Sequence, residues 1–309
     1  MRVQRSFAGG EARETGILYV VATPIGNLED ITLRAIRVLG EADIIAAEDT
    51  RHTRKLLAHL NLPAGRLVSY HEHNREESGR KLIAALKEGR TVALVSDAGT
   101  PAVSDPGEDL VRAAVEEGVP VVPVPGASAA LAALVASGLP TDEFHFAGFL
   151  PRGAREMAER LERLKPLAST LVCYEAPHRL MKTLESMREA WGDRRAVLAR
   201  ELTKVHEEFC RGRLSDILRH LAEHPPKGEC VVIVEGASAE EQVPSGGGRW
   251  WEALDVPAHV EHYIRQGKDK KEAMRLAARD RGVPRRDIYG ELVGKQKSPR
   301  GASGGDPNG

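Results

Sequence analysis

The chain has 309 residues, 41% hydrophobic and 29% charged, with 44 Lys and Arg against 45 Asp and Glu. That profile belongs to a folded globular protein and excludes a disordered or fibrous one; the length suits two domains with a small third. Cys173, Cys210 and Cys230 form no C-x-x-C pair, which excludes a disulfide framework and a zinc knuckle and fits a reducing cytosol.

From Ile17 onward, apolar runs alternate with amphipathic segments. Strands are expected at 17–22, 43–48, 68–70, 91–96 and 119–126. Helices are expected at 30–40, 51–60, 74–89, 106–118 and 127–138. Strands alternating with helices of this length point to βαβ units and a mostly parallel sheet. The passage 138–153 is rich in turn residues and is read as the first domain boundary. Beyond it, helices are expected at 155–165, 178–191 and 216–224, with strands at 170–175, 195–201, 207–213 and 229–236. Residues 237–249 have linker composition, 257–293 read as a small helical module, and 295–309 are disordered by composition. The first fifteen residues lack a signal-peptide pattern and are expected to be flexible. No apolar stretch approaches the roughly 18–20 residues of a membrane span. A cytoplasmic protein without membrane attachment is expected.

Charge is uneven along the chain. Residues 16–150 carry 12 Lys and Arg against 18 Asp and Glu, residues 151–220 carry 15 against 11, and residues 258–294 carry 9 against 6. A basic second half beside an acidic first half fits a polyanionic partner, and it fits ordinary solvated helix faces as well.

Four loops at expected strand ends are rich in Gly, Pro, Ser and Asp: Thr23–Asn27, Glu48–Arg51, Ser96–Gly107 and Pro125–Ala129. In an open α/β sheet such loops hold ligands, and these suit recognition by main-chain groups. Neither G-x-G-x-x-G nor G-x-x-x-x-G-K-[ST] is present, which disfavours a dinucleotide site and a P-loop nucleotidase. His71-Glu72-His73 lacks the i, i+4 spacing of H-E-x-x-H, so no metal is expected. Cys173 lies on an apolar strand and reads as core. Gly126-Ala127-Ser128-Ala129-Ala130 is not the G-x-S-x-G of a serine hydrolase. The charged strand ends Tyr174–Arg179 and Arg200–Lys204 add a second wall, which suggests a cleft between domains.

Taken in order, VVATPIGNLEDITLRAIRVL, AAEDTRHTRKLL, SYHEHN, VALVSDAGTPAVSDPG, VPVPGASA, FAGFLPR, YEAPHRL, RELTKVHEE and GECVVIVEG resemble the ribosomal small-subunit RNA 2′-O-methyltransferase I family. That family belongs to the tetrapyrrole-methylase-like group, and the resemblance spans residues 16–236. It implies a two-domain α/β fold of the tetrapyrrole-methylase type. Residues 16–145 would hold a mostly parallel sheet and 146–236 a smaller mixed α/β domain. A linker at 237–256 and a helical module at 257–294 would follow. It implies S-adenosylmethionine as cofactor and a homodimer. It also implies methylation of a cytidine ribose in the decoding region of 16S ribosomal RNA, in free RNA or the small ribosomal subunit. By motif matching, Pro24, Gly26, Asp97, Gly99, Thr100, Pro101, Val103, Ser128 and Ala129 would border the cofactor. Tyr174 and the Gly228-Glu229 turn would close over it.

A ribose hydroxyl attacks poorly while protonated, so a carboxylate is expected as general base, from Asp105, Glu48 or Asp49. Arg51, Arg179 and Lys204 could hold RNA phosphates. Lys270, Lys271, Arg275, Arg285 and Arg286 make the helical module a second RNA grip or a support for the dimer. Two alternatives stand beside this one. One is a small-molecule methylase of the tetrapyrrole type, and the other a non-catalytic RNA-binding assembly factor.

Overall fold

The computed structural model describes Val3, Gln4, Ser6, Trp251 and residues 15–65, 67–238 and 254–294. In the first half, five short apolar runs form β1 (Leu18–Val21), β2 (Ile44–Ala47), β3 (Leu67–Ser69), β4 (Val92–Val95) and β5 (Val121–Val124). All pair parallel, in the order β3-β2-β4-β1-β5. Parallel sheets of this kind are covered on both faces, so their strands read as continuous apolar runs. Alternate residues of β4 show it. Val92 and Leu94 pack with Leu82 and Leu86 of α3 (Arg75–Lys87) and Leu110 of α4 (Glu108–Glu116). Ala93 and Val95 pack with Val38 and Leu39 of α1 (Leu33–Glu41) and Leu57 of α2 (Thr50–His59). Side-chain caps start the latter two helices: Thr32 accepts from the Ala35 amide, and Asp49 from that of Arg51.

Helix α5 (Ala129–Ser137) follows β5 and ends on Gly138. Its small residues allow close packing onto a second sheet, where Ala130, Ala133 and Leu134 meet Val172, Val197, Val231 and Ile233. The first half is thereby joined to the second through a continuous core. The second sheet contains β6 (Phe144–Phe149), β7 (Thr170–Glu175), β8 (Arg195–Arg200), β9 (Glu208–Arg213) and β10 (Cys230–Val234). Its order is β6-β7-β10-β8-β9, parallel between β6 and β7 and antiparallel elsewhere. Helices α6 (Ala154–Leu164), α7 (Pro177–Trp191) and α8 (Leu214–Glu223) supply Leu161, Leu184 and Ile217 to its other face, with Cys173, Val232 and Val234 beneath them. Cys173 is core as expected, and complete burial pushes its thiol up to about 12.

Strand β6 was not expected: it lies inside the turn-rich passage, and the expected boundary after residue 145 runs through it. It is an edge strand with partly exposed residues and a bulge between Phe146 and Gly148, so no regular alternation marks it.

The described residues beyond 238 belong to a unit of their own. Within it lie α9 (Val256–Arg265), α10 (Lys270–Arg281) and α11 (Arg285–Gly294), the three helices expected. Val256, Val260, Ala273, Ala277 and Ile288 form its core. Asp255 and Asp269 cap α9 and α10, each accepting a hydrogen bond from a main-chain amide of the first turn. The expected tail 295–309, residues 239–250 of the linker and most of the first fourteen residues lie outside the described part. Gln4, in that first stretch, bonds both main-chain groups of Val121 through its side-chain amide, at 2.8 and 3.0 Å. No described helix is long and apolar enough to cross a membrane.

Candidate active site

Because β1 to β5 run the same way, the turns after β1, β2, β4 and β5 gather at one sheet edge. The turns after β1 and β4 are tied by a two-bond bridge between Thr23 and Gly99. Gly99 has φ +80°, a left-handed conformation that favours glycine, and an ideal Cβ there would stand 3.3 Å from Ile25. Farther along, Ala102 and Ser104 also take positive φ, at +66° and +65°. Such residues cost on the order of 1–3 kcal/mol each and gather where function holds them. Gly26 is needed for close approach: a Cβ there would fall 2.5 Å from Lys204 and 2.8 Å from Thr203 in the turn after β8. The Asn27 amide donates to Thr203 Oγ1 at 3.0 Å, which pins the first lobe to the second.

Between these turns and the second sheet lies a cavity of about 430 Å³. Of the residues expected around the cofactor, Asp97, Gly99, Thr100, Val103, Ser128, Ala129, Tyr174, Gly228 and Glu229 line it. Glu48 and Asp105, two of the expected bases, line it too. Three others do not. Pro24 borders a separate hollow with His52 and Lys55, Gly26 packs against the Thr203 turn, and Pro101 is buried. Asp49 caps α2 and is gripped by the Arg51 guanidinium at 2.6 Å. Hydrogen bonds from Arg51 hold the Asp49 carboxyl well below the carboxylate range, which makes it a weak base.

The other carboxylates behave in the opposite way. Burial, and then the charge of Asp97, raises Glu48 above the ordinary range. Burial, reinforced by Glu48, pushes Asp105 up to about 6. A raised carboxyl in a cleft is a mark of acid–base chemistry. Glu48, Ser104 and Asp105 also line an adjoining hollow of about 450 Å³, shared with His71, His73 and Arg75. His71 Nδ1 is buried there without a hydrogen-bond partner.

Glu175, Ile25 and Ser104 fall within the segments expected to wall the cleft, and all three line the cavity. Glu175 is fully buried, accepting from the Ala176 amide at 2.8 Å and from Thr183 Oγ1 at 2.7 Å. Phe149 also lines the cavity and lay outside those segments, with no chemistry in its side-chain type to single it out.

The cations expected at RNA divide. Arg51 is largely exposed beside Asp49. Arg179 is mostly buried, donates to the Leu150 and Pro151 carbonyls at 3.0 Å each, and lies 3.4 Å from Glu175. Lys204 bridges Glu201 and Glu229 at 2.9 and 3.0 Å. In the helical unit, Lys270, Lys271, Arg275, Arg285 and Arg286 are all exposed. Two mixed clusters of metal-ligand types occur among the described residues, Asp49 with His52 and Asp97, and Glu208 with Cys210 and His220. In the first, Arg51 already pairs with Asp49, and in the second, Arg200 pairs with Glu208.

Residues 17–218 match the family model described as Tetrapyrrole (Corrin/Porphyrin) Methylases. A protein of Halalkalibacterium halodurans named ribosomal RNA small subunit methyltransferase I is 54% identical over 289 residues, 94% of this chain and 98% of that protein. Its namesake in Bacillus subtilis is 50% identical, covering 94% of this chain and 97% of that one. The chain belongs to the ribosomal RNA small subunit methyltransferase I family, within the tetrapyrrole methylases. A solved relative, the uroporphyrin-III-C-methyltransferase of Thermus thermophilus, is 28% identical with a TM-score of 0.50, covering 71% of this chain and 94% of that one. A structure of that enzyme complexed with S-adenyl homocysteine, at 23% identity and a TM-score of 0.51, covers 71% of this chain and 97% of its own; it shares the fold. Family membership confirms the α/β architecture expected from strand and helix alternation, with a parallel first sheet and a mixed second one.

Proposed function

We propose that the chain uses S-adenosylmethionine to methylate the ribose 2′-hydroxyl of a cytidine in the decoding region of 16S ribosomal RNA, as a cytoplasmic homodimer. One observation carries this: relatives 50 and 54% identical over nearly the whole chain are named ribosomal RNA small subunit methyltransferases. A cavity lined by raised carboxyl groups supports that reading.

The cavity fits the donor. Its volume lies in the range of small-molecule sites, and its walls combine apolar Ile25, Val103 and Val231 with a few polar groups. Glu48 and Asp97 place carboxyl groups where a sulfonium charge is welcome. The α5 N-terminus, whose Ser128 makes no side-chain cap bond, offers main-chain donors for a carboxylate. S-adenosylmethionine supplies an already activated methyl group. Ser128, Ala129, Tyr174 and the Gly99-Thr100 turn would hold and orient it, and alignment alone removes a large share of such a barrier.

Asp105 is assigned as general base. Ionised, a carboxyl raised to about 6 is a stronger base than an ordinary one, and it is still mostly ionised at pH 7. It accepts the hydroxyl proton on a carboxylate oxygen. The adjoining hollow past Glu48 and Ser104 gives an acceptor room on the far side of Asp105.

Calorimetry with S-adenosylmethionine tests this against a non-catalytic RNA-binding factor. Saturable binding by the wild type, weakened by Gly99→Ala, is expected. No binding heat would move the chain to the non-catalytic class.

A further inference from the structure

Phe149 is a large apolar side chain left 57% exposed, at the rim of the cavity. Its position depends on the bulge in β6. Phe146 stands opposite Val172 and Phe149 opposite Tyr174, although Phe149 is three positions after Phe146 and Tyr174 only two after Val172. In an unbroken strand, residues three apart point to opposite faces. The inserted residue turns Phe149 onto the face of Phe146 and Tyr174. Bulges next to active sites commonly re-aim a side chain in this way.

The result is a row of rings. Phe146 meets Tyr174 edge to face at 5.0 Å, and Phe149 meets Tyr174 at 5.6 Å. Tyr174 is fixed in turn, accepting from the Ala130 amide at 3.3 Å. Phe149 is the outermost and most exposed of the three. An ideal Cβ on Gly148 would lie 3.2 Å from Ser104 Oγ, so the bulge abuts the loop that carries Asp105.

We infer that Phe149 is a stacking platform for the base of the RNA nucleotide whose ribose is presented to Asp105, an inference that rests on the function proposed above. An enzyme acting on a nucleotide inside a folded RNA benefits from unstacking it and holding its base against another flat surface. An exposed, rigidly backed phenyl ring beside the general base supplies that surface. Tyr174, less exposed, lines the same cavity and backs the ring.

The test uses the full chain with Phe149→Leu and Phe149→Trp, undermethylated small ribosomal subunits and labelled S-adenosylmethionine. Leu keeps apolar bulk and loses the aromatic face, whereas Trp keeps the face. The Leu variant is expected to lose about 5- to 150-fold in kcat/KM for the subunits, the span that base–aromatic stacking supplies. The Trp variant is expected to stay within about threefold of wild type by the same stacking. Donor affinity and melting temperature are expected to be unchanged in both. Wild-type activity in the Leu variant would overturn the inference. So would equal loss in both variants, or a fall in donor affinity, which would place the ring on the donor's adenine. A wild type that leaves the subunits unlabelled would remove the functional proposal itself, and this is read before any variant is made.

Discussion

Thr23 and Gly99 exchange main-chain hydrogen bonds in both directions, at 2.9 and 3.0 Å. This bridge fastens the turn after β1 to the turn after β4 and holds Gly99 at φ +80° on the cavity wall. A Cβ added there meets both an unfavourable backbone conformation and Ile25 at 3.3 Å. Gly99→Ala is expected to cost about 1–2 kcal/mol of stability, the usual penalty for a left-handed non-glycine residue. It should also weaken binding of S-adenosylmethionine. Denaturant titration and calorimetry check both effects.

Asp105→Asn separates chemistry from binding. Methyl transfer is expected to fall about 10²- to 10⁴-fold, the worth of a positioned base. Donor affinity should change little. In the wild type, the rate should rise with pH up to about 6, as the raised Asp105 carboxyl ionises, and then level off. The variant should lack that limb.

The same residue makes a stability prediction. Its carboxyl is harder to ionise folded than unfolded, so the fold carries no penalty at pH values where both states are protonated. The penalty grows as pH rises from the ordinary carboxylate range to about 6. Asp105→Asn is therefore expected to raise the melting temperature at pH 7.5, with the gain disappearing near pH 3. Thermal scans at the two pH values decide it.

Arg179 holds the Leu150 and Pro151 carbonyls and neutralises buried Glu175. Removing one partner of a buried ion pair leaves the other uncompensated, at a cost of about 3–5 kcal/mol. Glu175 keeps its bonds from Thr183 and Ala176, so about 2–3 kcal/mol is expected for Arg179→Ala. The effect should appear in denaturant unfolding, and the salt dependence of RNA binding should stay as in the wild type.

The exposed cations of the helical unit should behave in the reverse manner. Lys270, Lys271 and Arg275 lie on α10, whose buried residues are Ala273, Met274, Ala277 and Ala278. Changing the three to Gln should leave the melting temperature in place. With the helical unit as an RNA grip, the first of the two roles expected of it, RNA affinity should fall across sequences, and the slope of log affinity on log salt should shrink by about 0.7–0.9 for each phosphate no longer neutralised. An unchanged slope would assign the face another task.

The chain's alternation of apolar runs and helices was enough to foresee the parallel sheet, because strands buried on both faces announce themselves by composition alone. That the loops carrying Asp97, Gly99, Asp105 and Ser128 meet at one cavity was legible for a related reason: Gly, Pro and Asp after successive parallel strands mark the edge where loops gather. Strand β6 was hidden because half-exposure and a bulge erase its period of two. For Arg179 and Lys204, the near partners Glu175 and Glu201 lie at helix-like spacing, but the Pro151 carbonyl and Glu229, 28 and 25 residues away, are not visible in spacing along the chain. Phe149 was invisible because its direction depends on one inserted residue.

Mapping the methyl group tests the central claim most directly. Undermethylated small subunits would be incubated with the chain and labelled S-adenosylmethionine, and the RNA then hydrolysed in alkali. Label protecting a single phosphodiester bond 3′ of a cytidine in the decoding region is the result expected. Label on a base, on a ribosomal protein, or on an added tetrapyrrole with none on the RNA would contradict it.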